Sequence, residues 1–343
     1  MPLPPESPST STQETPRFEL IRWLWPIALG ASIGMGWRLT FLGHPGSPYN
    51  AMMASFVLLV PLTIGAVTVL AAERTARRSW GYYFWAAAGA NALCVVVALL
   101  VTIEGFICVV LAVPLFVVLG GIAGLLTGMI CRLARWPRRG VYGFALLPLL
   151  LGGLEQRLPL PQTVLREERV LFVGTPAAVV WQQLLSARDI QAKEMDHAWM
   201  YRIGVPLPRS AVTEAQAGAL VRHITMGKYI HFDQVATDWV LNQHVLWTYR
   251  FTKDSFPPQA LDDHVRIGGA YFDVLDTEYT LREVSGGSEL HVSMRYRVST
   301  NFNWYVRPIA AFLVGNFEET ALQFYGRRAQ SAISPALNGS PQS

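Results

Sequence analysis

The pattern of apolar positions divides the chain near residue 160. Before that point apolar residues run in long unbroken stretches; after it they alternate with polar ones or recur at helical spacing. Four stretches, Trp23–Leu42, Ala51–Ala72, Trp80–Thr102 and Phe106–Ile130, are long enough to cross a ~30 Å hydrocarbon core, which takes about 20 helical residues. A fifth, Val141–Leu154, has fourteen residues and reads as a short span or as a re-entrant or interfacial segment. The pattern predicts an N-terminal bundle of about five transmembrane helices over residues 21–156. Polar tails over 1–20 and 333–343 are expected to be disordered, and 157–163 to be a Pro-rich linker.

The remaining residues, 164–332, carry the signals of a separate α+β domain. Val164–Val173 reads as a strand. Thr175-Pro176 then opens a helix to Arg188, with Thr as the cap and Pro at the first helical position. Strands follow at Ala219–Met226, Tyr229–Trp239, Val245–Phe251, Tyr271–Glu283 and Leu290–Ser299, with turns at Gly227-Lys228 and Ser285–Ser288. Trp304–Gln330 closes the domain as a helix, its apolar positions Ile309, Phe312, Leu313, Phe317, Ala321 and Phe324 at helical spacing.

Charge sets the orientation of the bundle. Arg17 and Arg22 precede the first stretch, Arg74, Arg77 and Arg78 follow the second, and Arg132, Arg135, Arg138 and Arg139 follow the fourth. With alternating spans all of these fall on one side, while Gly43–Asn50 and the turn at Glu104 contain no Lys or Arg. The positive-inside rule then makes the N-terminus cytoplasmic. If Val141–Leu154 spans, the C-terminal domain lies in the periplasm, outside a bacterial inner membrane. The scarcity of Lys beside Arg is the compositional sign of a GC-rich bacterial genome. Net charge is +5 over residues 1–164 and −1 beyond, so the basic balance belongs to membrane loops and no nucleic-acid partner is expected.

Chemistry-bearing motifs are few. Gly120, Gly124 and Gly128 recur every four positions, which permits close helix packing, either within the bundle or as a homo-oligomer face. No Asp, Glu or Lys sits in mid-membrane, against an ion pump or channel. The cysteines Cys94, Cys108 and Cys131 show no metal-binding spacing. His223 and His231 flank one turn. A two-residue loop opposes His223 to Phe232 and Arg222 to Asp233, and sends the two histidines to opposite sides; a three-residue loop would make them a cross-strand pair. The first register is preferred for its Arg–Asp pair. No metal and no cofactor are expected, and no nucleophile motif is present.

Several pieces together resemble a known family. "TPAAVVWQQL", with Trp181, resembles the helix that follows the first strand in the START-like or Bet v 1-like (SRPBCC, polyketide cyclase/dehydrase) superfamily. "GALVRHITMGKYIHFDQVATDW" is similar to its strand–turn–strand segment, and "EYTLREVSGGSELHV" to a later hairpin. Ile190–Gly218 departs from the shortest members. The resemblance implies a helix-grip fold, a curved antiparallel sheet around the last helix, with a cavity for lipids or other apolar molecules. The aromatics Trp239, Trp247, Tyr249, Tyr279, Tyr296, Phe312, Phe317 and Phe324 are the candidate lining, or else an ordinary closed core. The expected function is a membrane-anchored binding module for a lipid-like molecule, its partners the bilayer and that ligand. The alternatives are a cyclase/dehydratase-type enzyme and a ligand-free envelope interaction protein.

Overall fold

A computed structural model describes residues 16–44, 47–134, 146–216, 218–258 and 260–337. Four long helices open the chain: α1 (Pro16–Thr40), α2 (Ala54–Thr75), α3 (Trp80–Leu100) and α4 (Phe106–Leu133). Among the described residues α2, α3 and α4 are long and apolar enough to cross a membrane. Helix α1 has the length, at 25 residues, and carries Arg22, Pro26 and Arg38. The tails expected at 1–20 and 333–343 fall largely outside the described residues. The described residues cover only part of the fifth stretch. Part of Val141–Leu154 lies outside the described residues, and the rest is helix α5 (Leu147–Glu155). Nine residues rise only about 14 Å at ~1.5 Å per residue, half a hydrocarbon core.

The chain forms two compact units. The first comprises α1, α2 from Val57, α3 to Val97 and α4 from Val113. Its glycines permit close packing inside the bundle. A side chain at Gly30 would strike Thr68 and Ala90, and one at Gly34 would strike Ile64 and Cys94. The Gly120, Gly124 and Gly128 stripe faces α3, where added carbons would meet Asn91, Ala87 and Tyr83. This stripe is covered within the chain and does not offer the homo-oligomer face. Asn91 Nδ2 donates to the Pro61 and Ala87 carbonyls, which satisfies the one mid-helix amide donor.

The second unit comprises residues 41–56, 98–112 and 149 onward. Its sheet has eight antiparallel strands in the order β1-β8-β7-β6-β5-β4-β3-β2. These are β1 (Gln162–Val173), β2 (Ser186–Ala187), β3 (Pro208–Gln216), β4 (Ala219–Met226), β5 (His231–Val240), β6 (His244–Arg250), β7 (Phe272–Val284) and β8 (Gly287–Ser299). Between β1 and β2 runs α6 (Ala177–Leu185), and between β2 and β3 the short helices α7 (Ala192–Met195) and α8 (Trp199–Arg202). Helix α9 (Asn303–Leu337) lies across β1 and β8 and packs on α6. The expected helix-grip architecture is present: a continuous antiparallel sheet around one long C-terminal helix.

Local chemistry explains most of these elements. Val180, Trp181 and Leu184 of α6 share one buried face, at helical spacing. The α6 cap differs from expectation: Pro176 takes the cap position and no side chain caps the helix. The β7–β8 turn closes over Ser285-Gly286, where Gly286 has φ +85°, a conformation that glycine adopts without a Cβ penalty. The β4–β5 loop has three residues, Gly227–Tyr229, so Thr225 pairs with His231 and Arg222 with Gln234. That corrects the predicted Arg222–Asp233 register, and also the expectation that a three-residue loop would make His223 and His231 a cross-strand pair. His223 is the residue opposite Asp233, its Nδ1 2.7 Å from the Asp233 carboxylate. The loop that brings this about holds Lys228 and Tyr229 at positive φ, which nothing in their side chains foretells.

Candidate functional site

Strand alternation decides what faces the helix. On β6, Val245 and Trp247 point inward and are fully buried, with Tyr249 next in the same row. On β7 the inward row includes Thr277 and Tyr279, and on β8 Val292, Met294 and Tyr296. Trp247, Tyr279, Tyr296 and Phe324 all join one core with Trp181, Leu322 and Tyr325; Tyr249 and Phe317 pack at its edge. Phe317 meets Tyr201 edge-on at 6.3 Å. Two of the candidate lining residues are elsewhere. A bulge between Ala236 and Asp238 puts Trp239 opposite Val245, on the concave side but at the strand end, where it is 41% exposed beside Val240 and Leu241. Phe312 points away from the sheet, is 56% exposed and has Trp199 as its ring neighbour. Its five-residue offset from Phe317 turns it about 140° round the helix, outside the buried stripe.

A row of polar side chains crosses this aromatic interior. Cross-strand pairing aligns Thr213, Arg222, Gln234 and Tyr249 on β3 to β6, and the Tyr249 hydroxyl lies 2.8 Å from Thr277 Oγ1 on β7. Arg222 is only 3% exposed. Its Nε donates to Gln234 Oε1 at 2.7 Å, and Nη1 donates to the Leu184 carbonyl at 3.0 Å and the Tyr325 hydroxyl at 3.5 Å. Its guanidinium lies over the Trp247 ring at 4.5 Å and near that of Tyr279 at 5.9 Å. Among the described residues no carboxylate pairs with it. Thr213 Oγ1, Trp181 Nε1 and Trp247 Nε1 are buried without a hydrogen-bond partner. Burial pushes the Tyr249 and Tyr279 phenols above their usual range, so both are protonated at neutral pH.

A second polar group is buried under α9. Glu318 is 0% exposed; its Oε1 accepts from the Met294 backbone N–H at 3.0 Å, and Oε2 has no partner. Burial pushes its carboxyl up to about 8, so the neutral acid is the main form at pH 7. Neither Arg222 nor Glu318 was read from the sequence as part of the interior: Arg222 was expected to pair with Asp233, and a lone Glu in a helical pattern reads as solvent-facing.

The fold also gathers a donor set that local spacing hides. Glu104 and Cys108 stand across the first turn of α4, and Asp262 and His264 lie in the β6–β7 connection. One ligand atom from each of the four falls within 4.8 Å of every other. The expectation of no metal rested on spacing along the chain, and these segments are 154 residues apart. Two open recesses lie away from the concave face. One, of about 280 Å³, is lined by Asn50, Met53, Glu155, Tyr271 and Asn301. The other is a groove of about 580 Å³ on the outer face of β1, β7 and β8.

The C-terminal half is an eight-stranded antiparallel sheet with one long C-terminal helix packed on it. Similar solved structures are the Zhui aromatase/cyclase from a Streptomyces species, at 12% identity, covering 51% of this chain and 98% of that one with a TM-score of 0.32. A protein of unknown function from Staphylococcus aureus is 13% identical, with 50% and 98% covered and a TM-score of 0.33. The AHSA1-like protein from Aeromonas hydrophila is 9% identical, with 52% and 99% covered and a TM-score of 0.27. No family model matches the chain, and no curated protein sequence matches it.

Proposed function

We propose that the chain is a membrane-anchored binding module, and that the interior between sheet and α9 takes up an apolar molecule bearing an acidic or carbonyl head. The observation that carries this reading is the Arg222 row. A buried guanidinium without a counter-ion, beside three orphaned donors and acceptors, is costly at about 1–3 kcal/mol per unsatisfied group. Such a group calls for a partner that the chain itself does not supply. A carboxylate or carbonyl oxygen would accept from Arg222 and Trp247 Nε1, while the surrounding rings would cover an apolar body. The exposed tip Trp239-Val240-Leu241, at one end of the concave face, is the natural place of entry.

The domain belongs on the non-cytoplasmic side, at the outer face of a bacterial inner membrane. The loops without Lys or Arg, 41–56 and 98–112, share its compact unit. Tyr271 donates to Asn50 at 2.8 Å, Tyr305 to the Leu111 carbonyl at 2.6 Å, and the Ala54 and Ser55 N–H groups donate to Glu155. By the positive-inside rule those loops face away from the arginines.

The test is mass spectrometry of small molecules retained by the full chain purified in mild detergent. A single apolar acid or carbonyl compound near one equivalent is expected, lost from Arg222→Met. Bulk lipid alone, equal in parent and variant, would refute the reading and favour a ligand-free interaction module. The cyclase-type reading draws on the two neutral phenols, which could polarise a ligand carbonyl; it requires that the retained compound be converted on incubation.

A further inference from the structure

The strongest unassigned constellation is the Glu104, Cys108, Asp262 and His264 cluster. Cys108 Sγ lies 3.1 Å from Asp262 Oδ2 and 4.0 Å from His264 Nδ1; His264 Nδ1 is 2.8 Å from Asp262 Oδ1. We propose that these four side chains form a binding site for a divalent late transition metal, zinc foremost.

Geometry and donor chemistry support this assignment. Tetrahedral zinc with bonds of about 2.0–2.3 Å separates its ligand atoms by roughly 3.3–3.8 Å. The four atoms here are already within 4.8 Å of one another, so closure needs only small side-chain rotations. One thiol, one imidazole and two carboxylates make a set too soft for magnesium or calcium and suited to zinc or cobalt. The site is shielded, with the Asp262 and His264 side chains each 12% exposed. The Gly105 N–H donates to Asp262 Oδ2 at 3.3 Å and orients that carboxylate.

A nucleophilic reading fits worse. A Cys–His–Asp relay uses different ring nitrogens for the thiol and the acid, whereas here His264 Nδ1 faces both. The thiol donates to the carboxylate, an arrangement in which a metal replaces its proton. With four protein ligands the site would be structural, joining the α3–α4 connection to the β6–β7 connection.

The experiment uses the full chain in detergent, stripped with a chelator and titrated with Co2+ or Zn2+ alone. One equivalent of Co2+ is expected, with the intense visible bands of tetrahedral cobalt and a near-ultraviolet thiolate-to-cobalt band, both displaced by Zn2+. Cys108→Ser should lose the thiolate band and weaken Zn2+ at least ~10-fold, while Cys131→Ser leaves both unchanged. In the parent protein, Zn2+ should slow maleimide labelling of Cys108 at least ~10-fold by peptide mass, a readout that needs no variant to fold. The proposal is overturned by sub-stoichiometric binding, by a cobalt spectrum without the thiolate band, by a band that survives Cys108→Ser, or by unchanged Cys108 labelling.

Discussion

Glu318→Gln tests whether the buried acid under α9 is neutral in the native state. In the unfolded chain this carboxyl titrates near 4.5, and in the folded protein near 8. Between those values the native state holds one proton more than the unfolded state. Stability from this group is therefore fully present below about pH 4.5, falls as pH rises, and is gone above about pH 8. At ~1.4 kcal/mol per pH unit, the whole window is worth at most about 5 kcal/mol. From pH 5.5 to 8.5 the wild type should lose roughly 3 kcal/mol through this residue, and Glu318→Gln should lose none of it. The amide oxygen can still accept from the Met294 N–H, and the unpartnered NH2 costs the same at both pH values. The assay is urea denaturation of the detergent-solubilised chain, followed by near-UV dichroism of its buried aromatics. With an m-value near 2 kcal/mol/M, the midpoint gap between variant and wild type should widen by roughly 1.5 M from pH 5.5 to 8.5. Other titrating groups are common to both proteins and cancel in the difference. Parallel pH profiles would refute the claim that burial keeps Glu318 protonated.

Arg222→Met should change the urea midpoint by no more than about 1 M, because the lost bonds to Gln234 and Leu184 offset the removal of a buried charge. The same variant should weaken a fluorescent fatty acid at least ~10-fold, as loss of a buried charge-assisted bond does, measured by fluorescence titration. Phe317→Ala, at the edge of the core beside Tyr201, should cost about 1–2 kcal/mol in urea, less than the 3–5 of a fully packed Phe, and weaken the same probe; a larger loss with no probe binding by the parent would mark a closed core. A C-terminal alkaline phosphatase fusion should be active, since that reporter folds only in the periplasm; activity from a cytoplasm-only reporter would reverse the topology.

Periodicity carried most of the fold. The strands from β4 to β8 and helix α9 were legible because alternation and helical spacing are imposed by a one-sided core, as in Val245, Trp247 and Tyr249. Strand β3 was missed inside Ile190–Gly218. Its segment Pro-Arg-Ser-Ala-Val-Thr-Glu-Ala-Gln is polar and buries only Ala211, so no alternating signal marks it. The β4–β5 register was missed by one residue because a favourable Arg–Asp pair outweighed a loop whose positive-φ residues are Lys and Tyr. The aromatic part of the candidate interior was legible in kind, since strand aromatics at inward positions are read by alternation alone. Its polar part was not. Whether an Arg at one inward position meets water or a Trp ring depends on which strands the chain folds beside it. The metal donors show the same limit at longer range, for nothing near Asp262 points to Cys108.

The two buried ionisable groups of this interior do not cancel one another. Tyr325, which meets the Arg222 guanidinium, and Glu318 are seven residues apart on α9. Two helical turns separate such positions by about 10 Å along the axis, and among the described residues no ion pair joins Arg222 to Glu318. Burial is the larger influence on Glu318, with Arg169 opposing it and Glu167 and Glu168 adding to it. Glu318 avoids the cost of a buried charge by taking a proton. Arg222 has no such escape, because a guanidinium stays protonated in proteins. Its charge is held by a side-chain amide, a carbonyl, a hydroxyl and two ring faces, dipoles and quadrupoles that carry no net negative charge. At neutral pH the core beside α6 thus holds a guanidinium with no carboxylate bonded to it among the described residues. An anionic or carbonyl-bearing apolar guest would gain from this field and an amine would be repelled by it, in a medium where charge interactions are far stronger than in water. If the interior takes up a guest as proposed, charge rather than shape would select it.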